Sequence, residues 1–137
     1  MKRPICPYCN GRTRLTTGKE TYPFMEELAS RKYWICRPCQ AWTPTKFNSI
    51  EPWGVIANKH TRNLRIQAHA HFDKLWKSYS GSKKARSKQR AKCYKWLQYI
   101  MRMNPDQAHI RNFNDEQCYQ LLKHLGVSVD EKNEAAI

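Results

Sequence analysis

Apolar residues follow two different patterns along this chain. Up to about residue 53 they come in short runs broken by proline and glycine, and from about residue 55 they recur at helical spacing. Short aromatic and β-branched runs indicate strands, whereas recurrence at i, i+4 and i+8 indicates the buried face of a helix. The pattern predicts an α+β fold: a small N-terminal β-rich module (1–53) packed with a helical region of about three helices (54–126). A flexible tail (127–137) would follow.

The N-terminal module is predicted to contain a hairpin and one further strand. Residues 12–16 and 20–22 flank Thr17-Gly18, which suits a tight turn, so we expect these two segments to pair. The run from Lys32 to Cys36 is rich in aromatic and β-branched residues, as a strand should be.

The aromatic residues of the chain allow two interpretations. We expect Trp34 and Trp76 to pack in the interior, because a small module has few aliphatic residues to surround a metal site. Tyr8 and Trp42 are open to either packing or stacking on nucleic-acid bases, since arginines and lysines lie between the aromatic residues here.

Three helices are predicted after residue 54. The apolar face of the first would hold Leu64, Ala68, Phe72, Leu75, Trp76 and Tyr79. The second would begin near Ser82 and end by Asn104-Pro105. Its apolar face would hold Ala85, Cys93, Trp96, Leu97 and Ile100.

The third helix has the clearest terminal signals. Asn114 suits the N-cap, and Gln117 three residues later completes a capping box. Phe113 before the cap can pack on Cys118, and Gly126 stands where a glycine ends a helix.

Four cysteines in two pairs form the strongest chemical motif. Cys6-Pro-Tyr-Cys9 and Cys36-Arg-Pro-Cys39 each separate two thiols by two residues, so that both thiolates of a pair can converge on one ion. Two such knuckles give a tetrahedral four-sulfur site, which zinc prefers and which leaves no open position. We therefore predict one structural Zn²⁺ in a zinc ribbon. Iron and a pair of redox-active dithiols are the alternatives.

Positive charge is concentrated in the middle of the chain. The formal net charge is +14, from 25 Lys and Arg against 11 Asp and Glu. Residues 54–104 alone contribute 13 basic and 1 acidic side chains. Such a balance indicates a polyanionic partner, of which nucleic acid is the commonest. The alternative is that these charges form a solvated surface that only keeps the protein soluble. The basic residues that we expect to contact phosphates are Arg62, Arg65, Lys83, Lys84, Arg86, Lys88, Arg90, Lys92 and Lys95.

The sequence argues against an enzyme. His69 and Asp73 are four residues apart and could share a helix face as a functional pair, and His109 is a further candidate for a small nuclease. However, a single Asp in residues 54–104 disfavours an acidic two-metal site, and there is no phosphate-binding glycine loop. Cys93 and Cys118 are expected to be buried as small hydrophobes, with a second metal site involving His109 as the alternative.

No stretch of the sequence has the length and apolarity of a signal peptide or a spanning helix. We therefore expect a protein of a reducing cytoplasm, where paired cysteines bind metal, and no membrane partner.

The motifs together resemble a phage and prophage family known as a zinc-finger-containing domain of unknown function. The resemblance covers about residues 5–125 and rests on both cysteine pairs, Tyr22-Pro23, and the segments 33–41, 54–58, 68–76, 94–97, 109–110 and 113–118. It implies a phage gene expressed in a bacterial cytoplasm, but no activity. The positions it implicates outside the knuckles are Asn58, His69, Phe72, Asp73, Trp76 and His109.

The sequence leads to two main hypotheses. The first is a phage-type zinc-ribbon protein that binds nucleic acid, DNA rather than RNA, mainly through phosphate contacts of the basic helices. The second is a phage-encoded inhibitor or modulator that binds a host protein such as a nuclease, a polymerase or a defence complex.

Overall fold

A computed structural model describes residues 3–128 and confirms the α+β fold. The chain divides into two compact units, with the boundary between Lys59 and His60. The sequence placed this boundary earlier, at residue 53. Most of the tail predicted over 127–137 lies outside the described residues.

A three-stranded antiparallel sheet forms the first unit. Its strands are β1 (Arg14–Thr17), β2 (Lys32–Cys36) and β3 (Ala41–Pro44), in the order β1-β2-β3. The predicted strand from Lys32 to Cys36 is confirmed at both ends. Because β2 is central, four of its five residues are buried.

The predicted hairpin at Thr17-Gly18 is wrong. β1 pairs with β2, and residues 18–21 form a single helical turn instead of a returning strand. Gly18 is needed here for close approach, since a Cβ built on it would lie 1.7 Å from the carbonyl oxygen of Leu28. The Gly18 backbone N–H donates to the Arg31 carbonyl at 2.9 Å, so the contact is made across the connection between the strands and not across a tight turn.

The interior of the first unit is small. Its buried cluster consists of Cys6, Trp34, Cys36, Ala41 and Ile56. Trp34 is 5% exposed and its indole N–H donates to the Ile50 carbonyl at 2.6 Å, which confirms the expected packing role and anchors the loop after β3.

Three helices form most of the second unit: α1 (Lys59–Lys77), α2 (Lys83–Met101) and α3 (Asp115–His124). Their buried cluster holds Leu64, Ala68, Phe72, Cys93, Leu97, Ala108, Ile110, Phe113, Cys118, Leu121 and Leu122. The predicted face of α1 is correct for its first three members. It is wrong for Leu75 and Tyr79, which lie in and after the last turn and are 41% and 48% exposed.

Local sequence signals determine where the helices begin and end. Ser82 caps α2 by accepting from the Ala85 N–H, and the helix ends at Met101 because Arg102 turns left-handed, at φ 53°. This end comes a few residues before the predicted stop at Asn104-Pro105. The capping box of Asn114 and Gln117 is confirmed, and Gly126 takes φ 75° after α3.

Candidate metal centre and basic surface

Each cysteine pair lies on a small backbone turn of the same design. In the first, Cys6 N–H donates to Gly11 O at 2.9 Å, and in the second, Cys36 and Ala41 are paired across β2 and β3. The residue after each second cysteine is left-handed: Asn10 has φ 61° and Gln40 has φ 49°. These turns direct both thiols of a pair towards one point.

The four thiols converge as a zinc site requires. Their Sγ atoms all lie within 4.8 Å of one another, and the Sγ atoms of Cys9 and Cys36 are 3.6 Å apart. A tetrahedral ion with Zn–S bonds of about 2.3 Å places its sulfurs about 3.8 Å apart. The donor set and the spacing therefore fit one four-coordinate zinc ion, as the sequence predicted.

The cysteine thiols of the site differ in how readily they lose a proton when no metal is bound. A hydrogen bond from the Gly11 backbone lowers the pKa of Cys9, whereas hydrogen bonding to Cys9, with burial adding to it, raises the pKa of Cys39 to about 12. Burial also raises the pKa of Cys36. A divalent cation removes this conflict because it binds all four groups as thiolates.

One ion pair ties the second knuckle to the rest of the first unit. Arg37, between the two cysteines, donates from Nε to Glu20 Oε2 at 2.7 Å and from Nη2 to Oε1 at 2.8 Å. These hydrogen bonds, with a further one from Thr16, lower the pKa of Glu20 to about 2. No sequence pattern predicts this pair, because Glu20 and Arg37 are 17 residues apart along the chain.

The comparison with protein families agrees with this geometry. Residues 2–127 match the family described as a zinc-finger-containing domain. The chain belongs to this family. No curated protein and no solved structure matches the chain. The family description names a metal-binding fold and no enzymatic activity, so it leaves the partner of this zinc-finger-containing domain open.

The basic residues of α2 separate into two groups. Over 83–101 the helix carries seven basic side chains and no acidic one. At about 100° per residue, one face receives Lys84, Lys88, Lys92 and Lys95, opposite the buried Cys93 and Leu97. All four lysines are exposed, and within residues 3–128 none of them forms an ion pair. We call these four residues the lysine stripe.

Three of the other basic candidates, Arg65, Arg86 and Arg90, contact carbonyl groups or aromatic rings of the second unit. Arg90 lies over the rings of Trp76 and Tyr94, with its Cζ 5.5 Å and 4.8 Å from their centroids. Arg86 donates to the Gly81 carbonyl at 2.9 Å, and Arg65 donates from Nε to the Phe113 carbonyl at 2.7 Å. Lys83 is exposed but lies off the lysine stripe, and Arg62 is half-buried.

His69 and Asp73 do come together on α1. Nδ1 of His69 is 3.8 Å from Oδ2 of Asp73, which also lies 3.6 Å from Nζ of Lys77. The indole N–H of Trp76 donates to Oδ1 of Asp73 at 3.1 Å. Burial lowers the pKa of His69, which favours the neutral imidazole. Asp73 thus accepts a hydrogen bond from Trp76 and lies near His69 and Lys77 on the same helix.

Within residues 3–128, no second metal cluster accompanies His109. The part of the chain that the structure describes holds one group of three or more potential ligands, the cysteine quartet. Cys93 and Cys118 are 6% and 0% exposed in the apolar cluster, as expected for small hydrophobes. Burial raises the pKa of Cys118 to about 12, which keeps the thiol protonated.

Over residues 3–128 no helix has the length and hydropathy to cross a membrane.

Proposed function

We propose that this zinc-finger-containing domain binds nucleic acid and that the lysine stripe makes the principal phosphate contacts. The observation that supports this proposal is the set of four exposed lysines on one face of α2, which has no acidic side chain along its length. From Lys84 to Lys95 the stripe spans about 16 Å at 1.5 Å per residue. That length matches several successive phosphates of one strand.

Repulsion between the lysines of the stripe favours binding of a polyanion over exposure of the stripe to solvent. Lys84, Lys88 and Lys92 follow one another at i, i+4 spacing, where like charges destabilise a helix by a few tenths of a kcal/mol per pair. A phosphate backbone lying along the stripe neutralises this repulsion. Each contact also releases condensed counterions, so the affinity falls steeply as salt rises.

DNA is the proposed partner ahead of RNA. An α-helix fits the major groove of B-form DNA, whereas the major groove of A-form RNA is too narrow to admit one. The contacts would mostly be to the backbone, because lysine acts as a point charge and the stripe offers no amide side chain to read base edges.

The metal site supports a binding role and not a catalytic one. Four thiolates complete the coordination of zinc and leave no position for water or substrate. The zinc-bound unit would then act as a rigid support. In the second unit, the His69–Asp73 pair is committed to local contacts with Trp76 and Lys77.

The proposal is tested by neutralising the stripe. We expect the triple variant Lys84→Gln, Lys88→Gln, Lys92→Gln to lower the affinity for a duplex DNA about tenfold or more at 0.1 M salt. It should also reduce the slope of log K against log salt by about 2 to 3, at about 0.9 per lost phosphate contact. Fluorescence anisotropy with labelled duplexes at several salt concentrations measures both quantities.

A control variant carries the same change of net charge elsewhere. Lys19→Gln, Lys59→Gln, Lys123→Gln removes three exposed lysines outside α2 and should change the affinity far less. Equal losses in the two triple variants would show that only net charge matters and would contradict the stripe. Affinity of the unmodified chain that is indifferent to salt would contradict nucleic-acid binding altogether. Stoichiometric capture of one protein from nuclease-treated lysate would then favour a protein partner.

A further inference from the structure

The first unit carries a second basic surface, separate from the lysine stripe. An open cleft of about 740 Å³ has among its lining residues the basic Arg31, Lys32 and Lys46 and the apolar Phe47 and Ile50. Glu27 is its single acidic lining residue. The cleft therefore combines positive charge with an aromatic ring.

Phe47 is displayed to solvent by a closed turn. The Ser49 N–H donates to the Lys46 carbonyl at 3.2 Å, and Asn48 between them is left-handed at φ 52°, which asparagine tolerates well. The Lys46 N–H donates to the Glu51 carbonyl at 2.8 Å and closes the base of the loop. Phe47 is nevertheless 90% exposed, so a fixed backbone holds an uncovered ring.

The loop is also anchored to the interior. The Ile50 carbonyl accepts the indole N–H of the buried Trp34 at 2.6 Å, and Thr45 pairs with Pro52 across the loop. A ring on such a support loses little conformational freedom when it is covered by a ligand, because its backbone is already ordered. A phenylalanine ring left in water forgoes the free energy of burial, and a stacking partner that covers the ring recovers part of it.

We propose that Phe47 is a stacking platform for an unpaired base of a single nucleic-acid strand, with Arg31, Lys32 and Lys46 holding the adjacent phosphates. This inference rests on the proposed nucleic-acid binding and adds to it a second site and a preference for strands with exposed bases. Bases in a duplex are already stacked on their neighbours, so only an unpaired base offers its face to the ring.

The charges around the ring favour this occupant over an apolar peptide. Arg31 donates from Nη2 to the Thr45 carbonyl at 3.3 Å, which fixes its guanidinium at the cleft. The Lys46 ammonium lies 3.2 Å from Glu51, but both side chains are about half exposed. Exposed ion pairs contribute little, and a phosphate competes readily for such a lysine.

The test measures binding of zinc-loaded, full-length chain to labelled strands by fluorescence anisotropy. The probes are a 15-nucleotide oligothymidine, its abasic counterpart, the corresponding oligouridine and a blunt DNA duplex. We expect Phe47→Ala to weaken binding of the oligothymidine about 5- to 100-fold, the range that removal of one stacking ring produces. Phe47→Trp should retain the affinity. The oligothymidine and the oligouridine together show whether the site binds DNA strands, RNA strands or both.

Phe24 provides the matched control. It is 98% exposed and does not line the cleft, so Phe24→Ala should leave all affinities within about twofold. Phe47→Ala should bind the abasic strand and the duplex as the unmodified chain does, since neither has a free base to stack.

Four outcomes would overturn the inference. Unchanged binding of the oligothymidine by Phe47→Ala excludes stacking and leaves a protein contact as the use of the ring. An equal loss on the abasic strand shows that the effect is not stacking. Failure of the unmodified chain to bind any strand or duplex overturns both proposals, whereas loss in the lysine-stripe variant without loss in Phe47→Ala overturns this one alone.

Discussion

The two units of this protein are stabilised in different ways. The first buries a cluster of five residues, two of which are cysteines of the metal site, whereas the second buries eleven residues in one apolar cluster. A small cluster offers little hydrophobic stabilisation against the conformational entropy of the chain. Coordination bonds therefore have to hold the first unit together, while packing holds the second.

The two units also differ in how they form the surfaces that we propose to bind nucleic acid. In the second unit the lysines stand on a regular helix, so their spacing follows from the sequence. In the first unit Phe47 and Lys46 come from the loop after β3, whereas Arg31 and Lys32 lie where β2 begins. A hydrogen bond from the buried Trp34 anchors the loop. Disruption of the metal should consequently abolish the cleft and spare the lysine stripe.

The largest effect should come from breaking the metal site. We expect Cys36→Ser, or removal of zinc by a chelator, to unfold the first unit, because metal binding in such modules contributes about 10 kcal/mol or more to folding. Hydrogen exchange followed by mass spectrometry should show loss of protection in β1, β2 and β3. Metal analysis of the unmodified chain should give one zinc per chain.

Protection in α2 and α3 is the internal control for this experiment. If the amides of both helices exchanged as fast as those of the strands, the units would depend on one another and the contrast would fail. Cys93→Ser is the matched variant, since it removes a thiol outside the quartet and should leave the zinc content unchanged.

A smaller effect should come from opening a cavity in the second unit. Phe72 is fully buried and meets Tyr94 edge to face, with ring centroids 5.1 Å apart. We expect Phe72→Ala to lower the free energy of unfolding of this unit by about 3 to 5 kcal/mol. Urea denaturation followed by circular dichroism measures the change.

Phe24→Ala should change the free energy of unfolding by less than about 0.5 kcal/mol, because its ring is exposed. Zinc content should be the same in both phenylalanine variants. Loss of zinc in Phe72→Ala would show that the metal site depends on packing in the second unit.

Local patterns were enough to predict much of this fold. The aromatic and β-branched run predicted β2 at both ends, and Asn114, Gln117 and Gly126 predicted both ends of α3. The spacing of the cysteines predicted the metal ligands, because each knuckle is a local structure. These features depend on residues that are close along the chain.

Contacts between distant residues could not be predicted in this way. Gly18 looked like a turn glycine, but the approach of Leu28 is what requires it. Arg90 looked like a phosphate ligand, yet Trp76 from another helix provides a ring for it. No pattern in the sequence distinguished Phe47 from the other aromatic residues, and its 90% exposure on a closed turn is visible only in the structure.

The smallest expected effect concerns the ion pair that supports the second knuckle. The hydrogen bonds from Arg37 lower the pKa of Glu20 to about 2. The pair therefore stabilises the first unit fully at pH values above the ordinary pKa of glutamate, about 4.3. This contribution is lost as the pH falls towards 2. Both side chains are more than a third exposed, which limits the effect of Glu20→Gln at pH 7 to about 0.5 kcal/mol.

Urea denaturation in excess zinc at a series of pH values measures this difference between Glu20→Gln and the unmodified chain. Thiolates also protonate and release zinc in acid, but that loss is common to both chains and cancels in the difference. The difference should stay constant from pH 7 to about 5 and shrink below it. Glu26→Gln removes an exposed carboxylate that has no ion pair within residues 3–128, and it should show no such dependence. A difference that stayed constant or grew as the pH fell towards 2 would show that the ionised Glu20 carboxylate is not the source of the stabilisation.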